Sequence, residues 1–136
     1  MKPGDRVVLE LTHEQAKVVE QATELLFRLH IGQFDHIKWA LRQHVTDIGT
    51  KVDTETINAA LGMLGRLFFP ELRLNESFNV DCYEECNIAY SVYQAIRFVN
   101  AWHANPNGSI GVAFDPPMNT GVPIPKCYLV KEADKE

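Results

Sequence analysis

The stretch that most constrains this chain is residues 81–102, DCYEECNIAYSVYQAIRFVNAW. Two neighbouring apolar rows run along it: Cys82, Cys86, Ala89, Tyr93 and Ile96, and Ile88, Val92, Ala95, Val99 and Trp102. Both keep the alternating three-and-four spacing of a helix face that is buried on folding. A face this wide predicts a central helix contacted by several elements. Asn87, Ser91 and Gln94 fall on the opposite side and are expected to face water. Asp81, Glu84 and Glu85 occupy the first turn, where carboxylates complement the helix dipole.

The rest of the chain is organised around that helix. Residues 6–11 alternate Val7, Leu9 and Leu11 against Arg6, Val8 and Glu10, the period of a strand. Thr12 with Gln15 three residues later is a capping box, in which each side chain satisfies the other's backbone N–H. It predicts a helix over 13–30, with Val19, Ala22, Leu25, Leu26 and Leu29 as its stripe. Gly32 is placed to end it, because glycine accepts a positive φ at little cost. A second helix is predicted from just after Gly32 to about Ile48, on the stripe Phe34, Ile37, Leu41, Val45 and Ile48, with Trp39 off that stripe and Gly49-Thr50 closing it. Asp53 or Thr54 caps a third, over 55–68. Its Gly62 and Gly65 each weaken it by about 1 kcal/mol relative to alanine, and share a face that a neighbouring helix could approach. Pro70 ends it, and Leu72, Leu74 and Phe78 pin the connector that follows.

After the long helix, Asn105-Pro106-Asn107-Gly108 is the strongest turn signal in the chain. Residues 109–114 and 127–130 carry strand periodicity, separated by the turn-rich segment from Asp115 to Pro125. The expectation is a single α+β domain over 1–136: a helical bundle around one long central helix, with a small antiparallel sheet of two or three strands. The first strand would join the last two.

Composition narrows the function classes. A net charge of −5 with no run of Lys and Arg argues against a nucleic-acid partner held by the overall field. Nothing reaches the length of a membrane span or a secretory signal, and three cysteines are an odd number, so the expected setting is a reducing cytoplasm with free thiols.

No motif compels a reaction, and no cofactor is expected. Cys82 and Cys86, four apart, could reach one metal, with His103 and Cys127 as the nearest further ligands. Both lie in the apolar row, however, where cysteine packs as a small hydrophobe, and core packing is the preferred reading. His36 and His44, eight apart, are too distant for joint ligation, and His44 with Asp47 makes a plausible ion pair. Cys86 and His103 are about 25 Å apart along one helix, which excludes them as a dyad. No Gly-rich phosphate loop is present, since Gly62 and Gly65 lie in a helical pattern.

The most informative polar cluster is Trp102, His103 and Asn105 at the end of the long helix. Asp115 is expected to return near them after the last turn. Such a mix suits a ligand rim or an interface anchor. The plainer alternative is that Trp102 covers the core and Asn105 caps the helix. For a nucleotide-like ligand, Trp102 or Trp39 would stack, with His103, Asn105 or Gln33 supplying polar groups, in a pocket that subunits of a homo-oligomer could share.

Several stretches resemble a family of small phage- and prophage-encoded proteins of unknown function. They are Leu9-Glu10-Leu11-Thr12, Gly32-Gln33-Phe34-Asp35, YSVYQAIR at 90–97, Ala101-Trp102-His103, Asn105-Pro106, Gly108, and Phe114-Asp115-Pro116-Pro117. Each is short, and together they span most of the chain. The family carries no activity; the resemblance implies a phage accessory protein, many of which are small, acidic and bind and inhibit a host defence protein. The leading expectation is therefore a non-enzymatic inhibitor docking on a host protein. Sequestration of a nucleotide-like signal is the second, and a small hydrolase using the histidines the third.

Overall fold

Local signals set the first helix. Thr12 N–H donates to Gln15 Oε1 at 2.9 Å and Gln15 N–H to Thr12 Oγ1 at 3.2 Å, completing the capping box. The helix runs from there to Gly32, whose φ of +90° reverses the chain. In the computed structural model, which describes residues 1–43, 53–73 and 75–132, four helices follow in order. They are α1 (His13–His30), α2 (His36–Ala40), α3 (Thr54–Phe68) and α4 (Glu84–Ala104), with a short 3₁₀ turn at Val112–Phe114.

α1 and α4 form an antiparallel pair. His13 lies against His103 at one end, with ring centroids 4.4 Å apart, and His30 lies near Tyr83 at the other. Between them, Phe27 and Ile31 pack on Cys86, Ala89 and Tyr93. The Phe27 ring meets Tyr90 edge-on at 5.0 Å and Tyr93 at 5.2 Å, contacts worth about 0.5–1.5 kcal/mol each beyond their burial. Phe78 N–H donates to the Ile31 carbonyl at 3.0 Å and so ties the 75–83 connector to the core.

α3 attaches differently. Asp53 caps it by accepting from Thr56 N–H at 2.7 Å. Its far end joins the rest through a chain of rings, Phe34 to Phe68 and Phe69, and Phe69 to Phe78. No residue of α3 is buried. Gly65 faces the Phe34 ring and not the neighbouring helix expected from sequence, and a Cβ there would meet the ring at 3.6 Å, an ordinary contact.

The α+β expectation is overturned: among the described residues the protein is all helical, with no strand and no sheet. Residues 6–11 and 127–130 hold no regular secondary structure and make no backbone hydrogen bond to another described residue. Residues 109–114 fail as a strand because Gly111, at φ +152°, breaks the run and Val112–Phe114 winds into the 3₁₀ turn. A strand period tells which residues share a face, but a ladder needs a partner backbone, and none lies alongside. The predicted second helix is interrupted: Leu41, at φ −106° and ψ 20°, closes α2 after Ala40, and helical backbone resumes at residues 42–43. Val45, Ile48, Gly49-Thr50 and the His44–Asp47 pair lie outside the described residues, as does Leu74.

The α4 face expected to be wet is covered. Ser91 and Gln94 are 1% and 2% exposed, whereas Ile88, in a predicted buried row, is 47% exposed. The covering element is the Pro-rich segment after the 3₁₀ turn, which crosses α4 as a strap. Asn87 Nδ2 donates to the Thr120 carbonyl at 2.8 Å and Oδ1 accepts from the Thr120 hydroxyl. Met118 N–H donates to Gln94 Oε1 at 2.9 Å, Gln94 Nε2 donates to the Met118 carbonyl at 3.4 Å, and Ser91 Oγ donates to the Pro123 carbonyl at 3.4 Å. The strap backbone thus supplies the partners that the buried Asn87, Ser91 and Gln94 side chains of α4 require.

Candidate functional site

A hollow of the described surface lies between α1 and α2. α1 contributes Lys17, Glu20, Glu24 and Arg28, spaced three or four apart and therefore on one face. The Gly32 reversal brings Gln33, His36 and Trp39 back opposite them. The resulting groove is open and encloses about 650 Å³.

Glu24 is its hub. One carboxylate oxygen accepts from Arg28 Nε at 3.0 Å, and the other lies 3.8 Å from His36 Nε2. Arg28 Nη1 also donates to Gln33 Oε1 at 2.5 Å, which fixes the loop after Gly32 to α1. At the deeper end, Glu20 Oε2 accepts from the buried Asn100 Nδ2 at 2.7 Å, tying the groove floor to α4. Burial holds the His36 imidazole below its ordinary pKa; the Glu24 and Asp35 carboxylates oppose this and Arg28 adds to it. At neutral pH His36 is uncharged, and its contact with Glu24 is not an ion pair. Trp39 stands at the rim, 60% exposed. Among the described residues the lining includes no Ser, Thr or Cys.

Two of the six residues singled out from sequence, Gln33 and Trp39, therefore meet in one groove. The other four lie elsewhere. His103 is beside the start of α1 and Gln33 follows its end, about 25 Å away along an 18-residue helix. Trp102 Nε1 donates to the Phe114 carbonyl at 3.2 Å and its ring meets Phe114 edge-on at 5.4 Å. The same ring lies over Gly108, where a Cβ would come within 2.8 Å of it. Asn105 closes the turn, its Nδ2 donating to the Gly108 carbonyl at 3.0 Å. Asp115 is exposed, and its backbone N–H donates to the Val112 carbonyl at 3.2 Å. The Trp102 and Asn105 polar groups thus bond to the segment that follows α4, and Trp102 remains 39% exposed.

The groove's centre was missed from sequence. The available signal was Glu24 with Arg28 at i, i+4, a pair that is usually only surface decoration. Among the described residues, no group of three His, Cys, Asp or Glu side chains is placed to hold a metal ion. Cys86 is buried in the α1–α4 core, donating to the Phe27 carbonyl at 3.7 Å, and burial together with the neighbouring Cys82 and Asp81 pushes its thiol up to about 12. No helix of the described residues is long and apolar enough to cross a membrane.

The fold and groove define an all-helical chain built on one antiparallel helix pair, with a polar groove on one side and a strap on the other. No family model, curated protein or solved structure matches it.

Proposed function

We propose that this chain is a non-enzymatic binding protein that acts by docking on another protein through the α1–α2 groove, with Trp39 as the anchor. The observation that carries this reading is the placement of Trp39, exposed on the rim of a groove whose floor is rigidly hydrogen-bonded through Glu24, Arg28 and Gln33. Tryptophan and arginine dominate the energetics of protein interfaces, and a fixed polar floor beneath an aromatic rim is the pattern of such anchors. The described lining sets Glu20, Glu24 and Asp35 against Lys17, Arg28 and Arg42, so those residues give a phosphate-bearing ligand no net preference. That balance favours a protein partner over the nucleotide-like ligand. The resemblance to phage accessory proteins supplies the direction: a host protein, inhibited by being bound.

The test compares wild type with Trp39→Ala as bait in host lysate. A partner retained by wild type and weakened about 30-fold or more by the variant is the expected result, the loss of one interface hot spot. Equal capture by both would remove Trp39 as the anchor. A native mass carrying a nucleotide-sized addition after gentle purification would replace the docking reading by sequestration.

A further inference from the structure

The fold brings two thiols together at the head of α4. Cys86 is fully buried in the α1–α4 core, and Cys82 packs against the same cluster. Both aim at the end of α1: Cys86 donates to the Phe27 carbonyl at 3.7 Å and Cys82 to the His30 carbonyl at 4.0 Å. The two sulfurs are also within hydrogen-bonding reach of each other. A thiol is a weak donor, so these contacts orient the pair without locking it. The third cysteine, Cys127, is exposed on the segment beyond the strap.

The two thiols differ in access. Cys82 is partly exposed and lies before the Tyr83 N-cap, outside the ladder of α4. Cys86 is sealed against α1. A reagent from solution therefore meets Cys82 first. Cys86 needs no path to solvent, because its reaction partner already lies alongside. Holding reacting groups in contact raises their effective concentration by orders of magnitude, which offsets the scarcity of thiolate that burial imposes on Cys86. A disulfide needs Cα atoms about 4.4–6.8 Å apart. Since Cys82 precedes the helix, that geometry is reached by shifting the connector and not by unwinding α4.

We propose that Cys82 and Cys86 are a modification site: a reversible intrachain disulfide formed with a hydroperoxide as the oxidant, Cys82 attacking and Cys86 resolving. The Cys82 thiolate attacks a peroxide oxygen. The S–O bond forms as the O–O bond breaks, and the other oxygen leaves as water, or as the alcohol of an organic hydroperoxide. Cys82 is then a sulfenic acid. The Cys86 sulfur displaces that oxygen: the S–S bond forms, the S–O bond breaks, and the Cys86 proton leaves with it as water. Two thiols together lose two electrons and two protons, and the peroxide is reduced. Thiol–disulfide exchange with an external dithiol reverses the bond. The site lies outside the Trp39 groove, so it stands or falls independently of the docking reading.

The experiment treats the folded full chain with hydrogen peroxide, blocks remaining thiols, and maps the peptides by mass. Trypsin cuts after Arg73 and Arg97, so both cysteines fall in one peptide, 74–97, and Cys127 in another. The expected product is peptide 74–97 lacking two hydrogens, unalkylated, and restored by dithiothreitol. In Cys86→Ser, Cys82 should stop at the sulfenic acid and be trapped by dimedone. In Cys82→Ser, Cys86 should stay reduced, with helical circular dichroism confirming that each variant is folded. Peptide 74–97 that gains oxygen without forming the link would overturn the proposal. So would links that run only to Cys127, or a disulfide that appears only in urea. Oxidation of Cys86 in folded Cys82→Ser would refute the assigned order of attack.

Discussion

Asn87 holds Thr120 from two sides, its amide nitrogen donating to the Thr120 carbonyl at 2.8 Å while its oxygen accepts from the Thr120 hydroxyl. The pair sits on a helix face that is polar in sequence and buried in the fold. It ties the strap to the buried face of α4: removing Asn87 leaves the half-buried Thr120 without its side-chain partner.

Asn87→Ala should therefore cost about 1–3 kcal/mol, the net worth of the two hydrogen bonds it makes to Thr120. Thr120→Val in the same background should cost less than it does alone, because the two share one interaction. Urea denaturation of the four proteins of that cycle measures the coupling. Additive effects would mean that the strap is held at Gln94 and Ser91 instead.

Glycine substitutions should have opposite signs at two positions. Gly32→Ala strains a φ of +90° and drives a Cβ to 2.5 Å from Leu72 Cδ1, so a loss above about 1 kcal/mol is expected. Gly62→Ala meets nothing closer than Arg66 Nη1 at 3.9 Å, and should stabilise α3 by about 0.5–1 kcal/mol. Thermal melts of both variants decide this; a stabilised Gly32→Ala would contradict the tight reversal after α1.

His36 gives the protein a pH dependence whose sign follows from burial. Its folded pKa lies below the ordinary histidine value of 6.5, so the unfolded chain takes up the proton first as pH falls. Stability should be complete above pH 6.5, decline as pH falls through 6.5 towards the folded pKa, and level off below it. NMR titration should place the His36 midpoint under 6.5, and His36→Gln should flatten that slope. A midpoint above 6.5 would show that Glu24 and Asp35 prevail over burial.

Cys86 should be inert to alkylation in the native protein and react only on unfolding. It is fully buried against α1, and burial pushes its thiol up to about 12, so almost no thiolate exists at neutral pH. Mass-mapped iodoacetamide labelling along a urea titration should show Cys86 modification tracking the unfolding transition. Labelling at Cys86 in the absence of urea would mean that α1 and α4 separate readily.

What the sequence determined here was local. Thr12 with Gln15, Gly32, and Asp53 before Thr56 act within four residues, so the start and end of α1 and the start of α3 were readable from spacing alone. The row Cys86, Ala89 and Tyr93 was readable for the same reason, since helical period and apolarity coincide. The tertiary structure decided where each face goes. Nothing in NxxxSxxQ distinguishes a wet row from one hydrogen-bonded to a strap some thirty residues later, although a row of amides and a hydroxyl without a single charge was an unread sign. Glu24 with Arg28 became the centre of a groove only because Gly32 turned Gln33, His36 and Trp39 back over it. The strand periods at both ends were read correctly as patterns and wrongly as an intrachain sheet. Alternation is a property of one segment, but a ladder depends on which backbone the fold brings alongside.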